Sequence, residues 1–205
     1  YFGLARCYLA TGRKEKAWQE CEKALMTDPE NPEIIASIAA IAEQAGDSRR
    51  AEALLAEALK RPGAGAWTHL RAGILFLNRQ EFRAARDAFR TVVSLEPGNA
   101  DGWRGLGFSL WNLGSAEEAV RAMETSARLN PAQPTLLISL GRCYQALGRH
   151  QEAERWFRQA LRLRPGDRDI LNDMAVSLAM TGRQAEAIAI WQGIVERDPA
   201  YEPAR

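Results

Sequence analysis

The sequence has little of what marks several classes of protein. Neither sign of charge dominates, because 27 lysine and arginine residues face 26 acidic residues and the formal net charge is +1. This balance argues against nucleic acid as a partner, since binding to phosphates depends on clustered positive charge. No apolar run approaches the roughly 18 residues that a membrane-spanning helix needs. The sequence therefore predicts no nucleic-acid binding and no membrane insertion.

Cysteine and histidine, which often serve in metal binding and nucleophilic catalysis, are also scarce. Cys7, Cys21 and Cys143 are too few for a disulfide framework, and their spacing fits no zinc site. His69 and His150 each lack a second ligand at suitable spacing. The chain carries no phosphate-binding loop and no hydrolase or zinc-protease motif. We expect no metal, no cofactor and no catalytic site.

What the sequence does contain is an internal repeat of 34 residues. Alanine recurs at this spacing along the whole chain, at Ala17, Ala51, Ala85, Ala119, Ala153 and Ala187. Proline follows at most of the same intervals, at Pro29, Pro97, Pro131, Pro165 and Pro199. A period between about 20 and 50 residues is typical of solenoids, in which each unit packs mainly against its neighbours.

Two sets of positions within each unit have helical spacing. Positions 4, 7, 8 and 11 share one helix face, and positions 20, 24 and 27 share another. Position 15 is glycine in every unit but the third, which has Gln80, and glycine can take the positive φ that ends a helix. Asn31, Asn99 and Asp167 are candidate helix N-caps, and Ser115 with Glu118 forms a candidate capping box. The pattern predicts a helix, a tight turn and a second helix in every unit.

This pattern resembles the tetratricopeptide repeat, whose signature is W-x2-L-G-x2-Y, then A-x3-F, then alanine and proline. The fourth unit carries Trp103, Leu106, Gly107 and Leu110 at the first four signature positions. The resemblance implies an all-α, right-handed superhelical solenoid of six units in a single array, residues 1–201. The units would be 1–31, 32–65, 66–99, 100–133, 134–167 and 168–201, with 202–205 beginning a truncated seventh unit.

The resemblance also implies where a partner would bind. In this family the first helices of the units line a concave groove, into which positions 2, 5, 9, 12 and 13 point, with some contribution from position 6. The candidate groove residues are Trp67, Leu70, Arg71, Ile74, Leu77, Asn78, Arg104, Phe108, Trp111, Asn112 and Arg142. Many are large and apolar, which favours a hydrophobic anchor site centred on Trp67 and Trp111. Alternatively, neighbouring first helices bury them against each other.

The arginines of this groove allow two interpretations. Arg71 and Arg104 could grip a carboxylate of the ligand, as guanidinium groups do well. Alternatively, the arginines are solvated or form ion pairs within the chain, for instance with Asp101. The carboxylate clamp of chaperone-binding tetratricopeptide domains is not expected, because that subtype has asparagine at position 9 and this chain never does.

The expected function is a protein–protein interaction scaffold that binds a partner peptide or helix in a multiprotein assembly, rather than an enzyme. One alternative is an accessory repeat region of a larger enzyme, such as a glycosyltransferase, since the chain starts without methionine and resembles an excised piece. Another is a self-association module. The content of alanine, arginine and glycine suggests a bacterial source, with a soluble protein in the cytoplasm or periplasm.

Overall fold

Helices make up all the regular structure of the described residues. The computed structural model describes residues 1–198, 200 and 201, and these contain twelve helices and no strand. The helices are α1 (Phe2–Ala10), α2 (Lys14–Thr27), α3 (Pro32–Gln44), α4 (Ser48–Lys60), α5 (Ala66–Asn78), α6 (Phe82–Leu95), α7 (Ala100–Asn112), α8 (Ala116–Leu129), α9 (Pro134–Ala146), α10 (His150–Leu163), α11 (Arg168–Met180) and α12 (Gln184–Arg197). Each odd-numbered helix is followed by a tight turn and its even-numbered partner, as predicted.

The chain divides into two compact units, which are described separately below. The first is Tyr1–Ser109, and the second begins at Leu110, so the division falls inside α7. The single array of residues 1–201 and its five internal boundaries stay a prediction. Pro199, the last repeated proline, and residues 202–205, where a seventh unit is predicted to begin, lie outside the described residues.

Side-chain caps start several of the first helices. Asn31 Oδ1 accepts hydrogen bonds from two backbone amides at the start of α3, and Asp167 Oδ1 does the same for α11. Asn99 Oδ1 accepts from the backbone of α7 at 2.9 Å, so all three predicted caps are confirmed. Ser115 caps α8 by position only, because its side chain makes no capping hydrogen bond. The predicted box with Glu118 therefore does not form.

The turn after each first helix needs a residue in the left-handed conformation. Five glycines adopt it, with φ between 72° and 83°: Gly12, Gly46, Gly114, Gly148 and Gly182. In the third unit Gln80 takes their place, with a φ of 61°. The backbone of this turn is therefore the same with or without glycine, and Gln80 carries the strain that a side chain meets in this region.

Replacing Gln80 by glycine should stabilise the first compact unit. The left-handed conformation costs a residue other than glycine roughly 1–2 kcal/mol, and part of this is offset because glycine loses more freedom on folding. We expect Gln80→Gly to raise the free energy of unfolding in urea by about 0.5–1 kcal/mol. The reverse change at the equivalent turn, Gly46→Gln, should lower it similarly. A lower stability for Gln80→Gly would contradict this account.

Phe89 is among the most deeply buried side chains of the first unit. This α6 side chain is 1% exposed, and its ring reaches glycines on two first helices. A Cβ atom at Gly73 of α5 would lie 2.8 Å from the ring, and one at Gly105 of α7 would lie 2.3 Å away. Both distances are shorter than carbon atoms tolerate, so the absence of a side chain at these positions admits the ring and fixes the spacing of the helices.

The core of the second unit repeats this arrangement and adds a buried polar contact. Phe157 of α10 is fully buried, and a Cβ atom at Gly141 of α9 would lie 2.4 Å from its ring. Nearby on α9, the buried hydroxyl of Tyr144 donates a hydrogen bond of 2.6 Å to Glu124 Oε1 of α8. The bond joins two consecutive repeats, α8 belonging to one and α9 to the next.

Because of the Tyr144 contact, the stability of the second unit should decrease at alkaline pH. Burial, together with the hydrogen bond to the Glu124 carboxylate, raises the pKa of Tyr144 above its usual value near 10. The folded state therefore keeps the proton that the unfolded chain loses, and stability should fall as the pH rises above about 10. Urea unfolding near pH 8 and near pH 11 measures this loss.

The variant Tyr144→Phe is the control for this pH dependence. It should be less stable near neutral pH, because Glu124 loses its donor, and it should lose less stability between the two pH values than the natural chain does. Part of the dependence should remain, because burial and the hydrogen bond to Asp169 raise the pKa of Tyr201 to about 12. Equal losses in both proteins would refute the assignment to Tyr144.

Candidate functional site

Helix α5 carries most of the predicted groove residues of the first unit. Trp67, Arg71, Ile74 and Asn78 follow one another at intervals of three and four residues along one side of the helix, with Leu77 beside them. Trp67 is 38% exposed and Asn78 is exposed, while the other three are partly exposed. We call this surface, formed by Trp67, Arg71, Ile74, Leu77 and Asn78, the α5 face.

Leu70 does not belong to the α5 face. Its side chain is only 7% exposed and forms part of the hydrophobic core. Position 5 of this unit is therefore used for packing, which is the alternative that the sequence left open for the apolar groove residues. Trp67 at position 2 is exposed, so α5 carries one predicted groove residue in the core and another at the surface.

A hydrogen bond from its indole N–H orients the Trp67 side chain. Its indole Nε1–H donates a hydrogen bond of 3.2 Å to Ser37 Oγ on α3, and the guanidinium carbon of Arg71 lies 5.9 Å from the ring centroid. A tryptophan that is oriented by a hydrogen bond and still offers apolar surface has the properties of an interface anchor, since little side-chain freedom remains to be lost on binding.

Arg71 is already paired with a carboxylate of its own chain. Its Nη2 donates to Glu43 Oε2 of α3 at 2.8 Å, and both side chains are less than one-fifth exposed. The Arg71 Nε–H is buried and has no hydrogen-bond partner among the described residues. The guanidinium therefore links α3 and α5, and its charge is neutralised before any ligand arrives.

Helix α7 carries the next group of predicted residues. Arg104 Nη2 lies 2.8 Å from Asp101 Oδ1, one turn earlier on the same helix, which is the ion pair considered as the alternative to ligand binding. Phe108 and Trp111 are partly exposed, and Asn112 is exposed at the end of the helix. Of the two predicted anchors, Trp67 thus offers more exposed surface than Trp111.

The second unit has first-helix residues of the same kind. Arg142 of α9 donates to Asp173 Oδ2 of α11 at 2.7 Å, so this predicted groove arginine is also paired. On α11, Val176 is 40% exposed and Met180 is 65% exposed, at repeat positions 9 and 13. These two residues are not among the predicted groove residues, although positions 9 and 13 are among those that face the groove in the family.

The sequence matches two family models of tetratricopeptide repeats. The family model described as "Cytochrome c-type biogenesis protein H TPR domain" matches residues 75–205, more than half of the chain. A general tetratricopeptide repeat model matches residues 1–31. The chain belongs to the cytochrome c-type biogenesis protein H TPR family. Its resemblance to tetratricopeptide proteins, predicted from the repeat, is thereby confirmed.

Several solved structures have the same fold as this TPR chain. PilF of Pseudomonas aeruginosa is 17% identical, with a TM-score of 0.81, covering 100% of this chain and 93% of that one. YrrB, described as a TPR protein with an unusual peptide-binding site, is 21% identical, with a TM-score of 0.79 and coverages of 90% and 95%. MamA is 20% identical, with a TM-score of 0.75 and coverages of 85% and 97%. At these identities the likeness shows the fold alone, and it confirms the predicted all-α class of tandem TPR units.

A curated relative matches part of the TPR chain. The peroxisomal targeting signal receptor of Candida albicans is 36% identical over 69 residues, which are 34% of this chain. The chain covers 12% of that receptor's length. The match therefore concerns a segment of repeats rather than the whole receptor.

Within the described residues of the TPR chain, His69 is partly buried and Cys143 is buried. No group of three or more His, Cys, Asp or Glu side chains there is placed to hold a metal ion. Burial lowers the pKa of His69, and burial raises the pKa of the Cys143 thiol to about 11. A neutral imidazole and a protonated thiol are what packing inside repeats favours. None of the helices in the described ranges is both long and apolar enough to span a bilayer.

Proposed function

We propose that this chain is a protein-interaction scaffold in the biogenesis of c-type cytochromes and that it binds an unfolded or helical segment of a partner through its first helices. The description of its family supplies the setting. The carrying observation is Trp67, whose ring is oriented by Ser37 while more than a third of its surface stays exposed. Exposed aromatic anchors of this kind dominate the energetics of protein interfaces.

The rest of the α5 face supports this choice of surface. Ile74 and Leu77 extend the apolar area along the helix, and Asn78 provides amide donors and acceptors at its end. Arg71 contributes by fixing α5 to α3 through Glu43 rather than by binding a ligand carboxylate. The proposed site thus contains an apolar centre and a polar end, which suits an amphipathic segment better than a highly charged one.

The test uses overlapping peptides of about 15 residues from the polypeptide of a c-type cytochrome, with binding to the full chain followed by fluorescence anisotropy. We expect Trp67→Ala to weaken the best peptide at least tenfold, because truncation of a central aromatic anchor typically costs about 2 kcal/mol or more. Trp156→Ala, on the second helix α10, is the matched control and should leave affinity within about twofold.

A second pair of variants tests whether binding depends on the α5 face or on exposed apolar surface in general. Leu77→Ala on the α5 face should weaken binding, whereas Leu95→Ala, at the end of α6 and 54% exposed, should not. If Trp67→Ala and Leu77→Ala bound the peptides as tightly as the natural chain does, the site would lie elsewhere. If none of the peptides bound, the proposed setting would be wrong.

A further inference from the structure

A surface depression lies at the end of the α5 face where α5 begins. Its volume is about 370 Å³, and it is bounded by residues of α1, α3 and α5 together with the residue that precedes α3. The lining residues are Phe2, Asn31, Glu33, Ile34, Ser37 and Trp67. Its size is at the lower end of the roughly 300–1,000 Å³ of small-molecule pockets, which suits a single side chain of a partner.

The walls of the depression combine aromatic and aliphatic surface with one negative charge. Phe2, Ile34 and Trp67 supply the apolar part, and Ser37 is engaged with the Trp67 indole. The charge is the carboxylate of Glu33, which is exposed in the first turn of α3. Its Oε1 lies beside Gly65, where a Cβ atom would be only 3.0 Å away, so the glycine leaves room for the carboxylate against the start of α5.

Glu33 differs from the acidic residues at the same repeat position on other first helices. Asp101 is paired with Arg104 at 2.8 Å, and Asp169 accepts a hydrogen bond from the Tyr201 hydroxyl at 2.9 Å. Among the described residues, no lysine or arginine forms an ion pair with Glu33. The nearby cations are engaged elsewhere, Arg71 with Glu43 and Arg61 with Glu30 and Glu57.

We propose that this depression binds a lysine or arginine side chain of the partner segment, with the charged group at Glu33 and its aliphatic stem against the Trp67 and Phe2 rings. The inference rests on the proposed function, because it specifies the chemistry of one end of that site. An unpaired carboxylate attracts a cation, and an indole ring adds a cation–π contribution. Long basic side chains also cover apolar surface with their methylene groups.

The test measures this preference directly, with a small probe and the full chain. N-acetyl-lysine amide is titrated against the isotopically labelled protein, and the Trp67 indole N–H signal, assigned with Trp67→Phe, reports binding. N-acetyl-norleucine amide is the matched neutral probe. We expect the lysine probe to bind at least about fivefold more tightly, the combined effect of one exposed ion pair and one exposed cation–π contact. The ratio should shrink as the ionic strength rises from about 0.02 to 0.3 M.

Two variants test whether Glu33 causes the preference for the lysine probe. Glu33→Gln keeps the shape of the side chain and removes its charge, so the lysine probe should lose its advantage. Asp101→Asn, at the same repeat position of α7, should keep it. Three outcomes would each overturn the proposal. The two probes could bind the natural chain equally, the indole signal could fail to respond to the lysine probe, or the lysine probe could keep its advantage in Glu33→Gln.

Failure of this inference and failure of the proposed function are distinguishable. If cytochrome peptides bind through Trp67 while the two probes bind equally, the α5 face is a binding site without a basic subsite. If the lysine probe is preferred but no peptide binds, the subsite exists and the proposed partner is wrong.

Discussion

The variant Phe89→Ala should lose about 3–5 kcal/mol of unfolding free energy, the largest effect that we expect from a single substitution in the first unit. The ring is 1% exposed and fills the space left by Gly73 and Gly105 on two first helices, so its removal leaves a cavity that neither glycine can fill. Urea denaturation followed by circular dichroism measures the loss.

The matched comparison is Trp67→Ala, which truncates a larger but partly exposed aromatic residue. It should cost about 2–3 kcal/mol, less than a fully buried aromatic residue, because 38% of its surface already meets water, although the hydrogen bond to Ser37 is also lost. This difference also matters for function, because a Trp67 variant that stays folded can report on binding. A loss below 1 kcal/mol for Phe89→Ala, about the effect of an average substitution, would show that Phe89 does not organise the core.

The variant Gly105→Ala should destabilise the first unit by about 2 kcal/mol, although alanine is the better helix former. Helix propensity alone favours alanine over glycine by about 1 kcal/mol. A methyl group 2.3 Å from the Phe89 ring must displace it, and Gly73 borders the same end of the ring, which leaves it little room to turn. Overpacking of this kind costs about 1–3 kcal/mol or more, so we expect it to exceed the gain in propensity.

Two controls separate the gain in helix propensity from the cost of overpacking. Gly193→Ala, in α12, has no atom within 4 Å of the added methyl group and should stabilise the chain by up to about 1 kcal/mol. In a Phe89→Leu background, Gly105→Ala should lose most of its cost, because the shorter side chain leaves space. The double variant should therefore lose less unfolding free energy than the sum of the two single losses. A Gly105→Ala protein as stable as the natural one would contradict the close contact.

The fold was predictable from the sequence because the signals that specify it are local. Ala153 and Phe157 lie one helical turn apart, and the glycine turns mark the end of almost every first helix. Even Gln80, the exception, follows the rule of its position, since the surrounding helix pair imposes the positive φ on it. The capping box at Ser115 was wrongly predicted, because the residue types suit a box but do not determine whether the Ser115 side chain bonds to the backbone.

The candidate site was only partly predictable. The repeat position of Trp67 indicated a surface residue, but the same reasoning placed Leu70 beside it, and Leu70 is in the core. The predicted arginines lie on first helices, and the pair of Arg104 with Asp101 was among the alternatives, but the partners of Arg71 and Arg142 lie on other helices and were not predicted. Glu33 lies at groove position 2, but the depression itself was not predictable, because its walls come from three helices.

The sequence by itself thus determined the repeat and the twelve helices of the described residues, since these depend on residues a few positions apart along the chain. Only the tertiary structure decided which charges are available to a partner. Arg71 meets Glu43 across 28 residues and Arg142 meets Asp173 across 31, while Glu33 is left without a cation among the described residues. The physical reason is that ion pairing and exposure are set by side chains from neighbouring helices, whose identities the repeat does not fix.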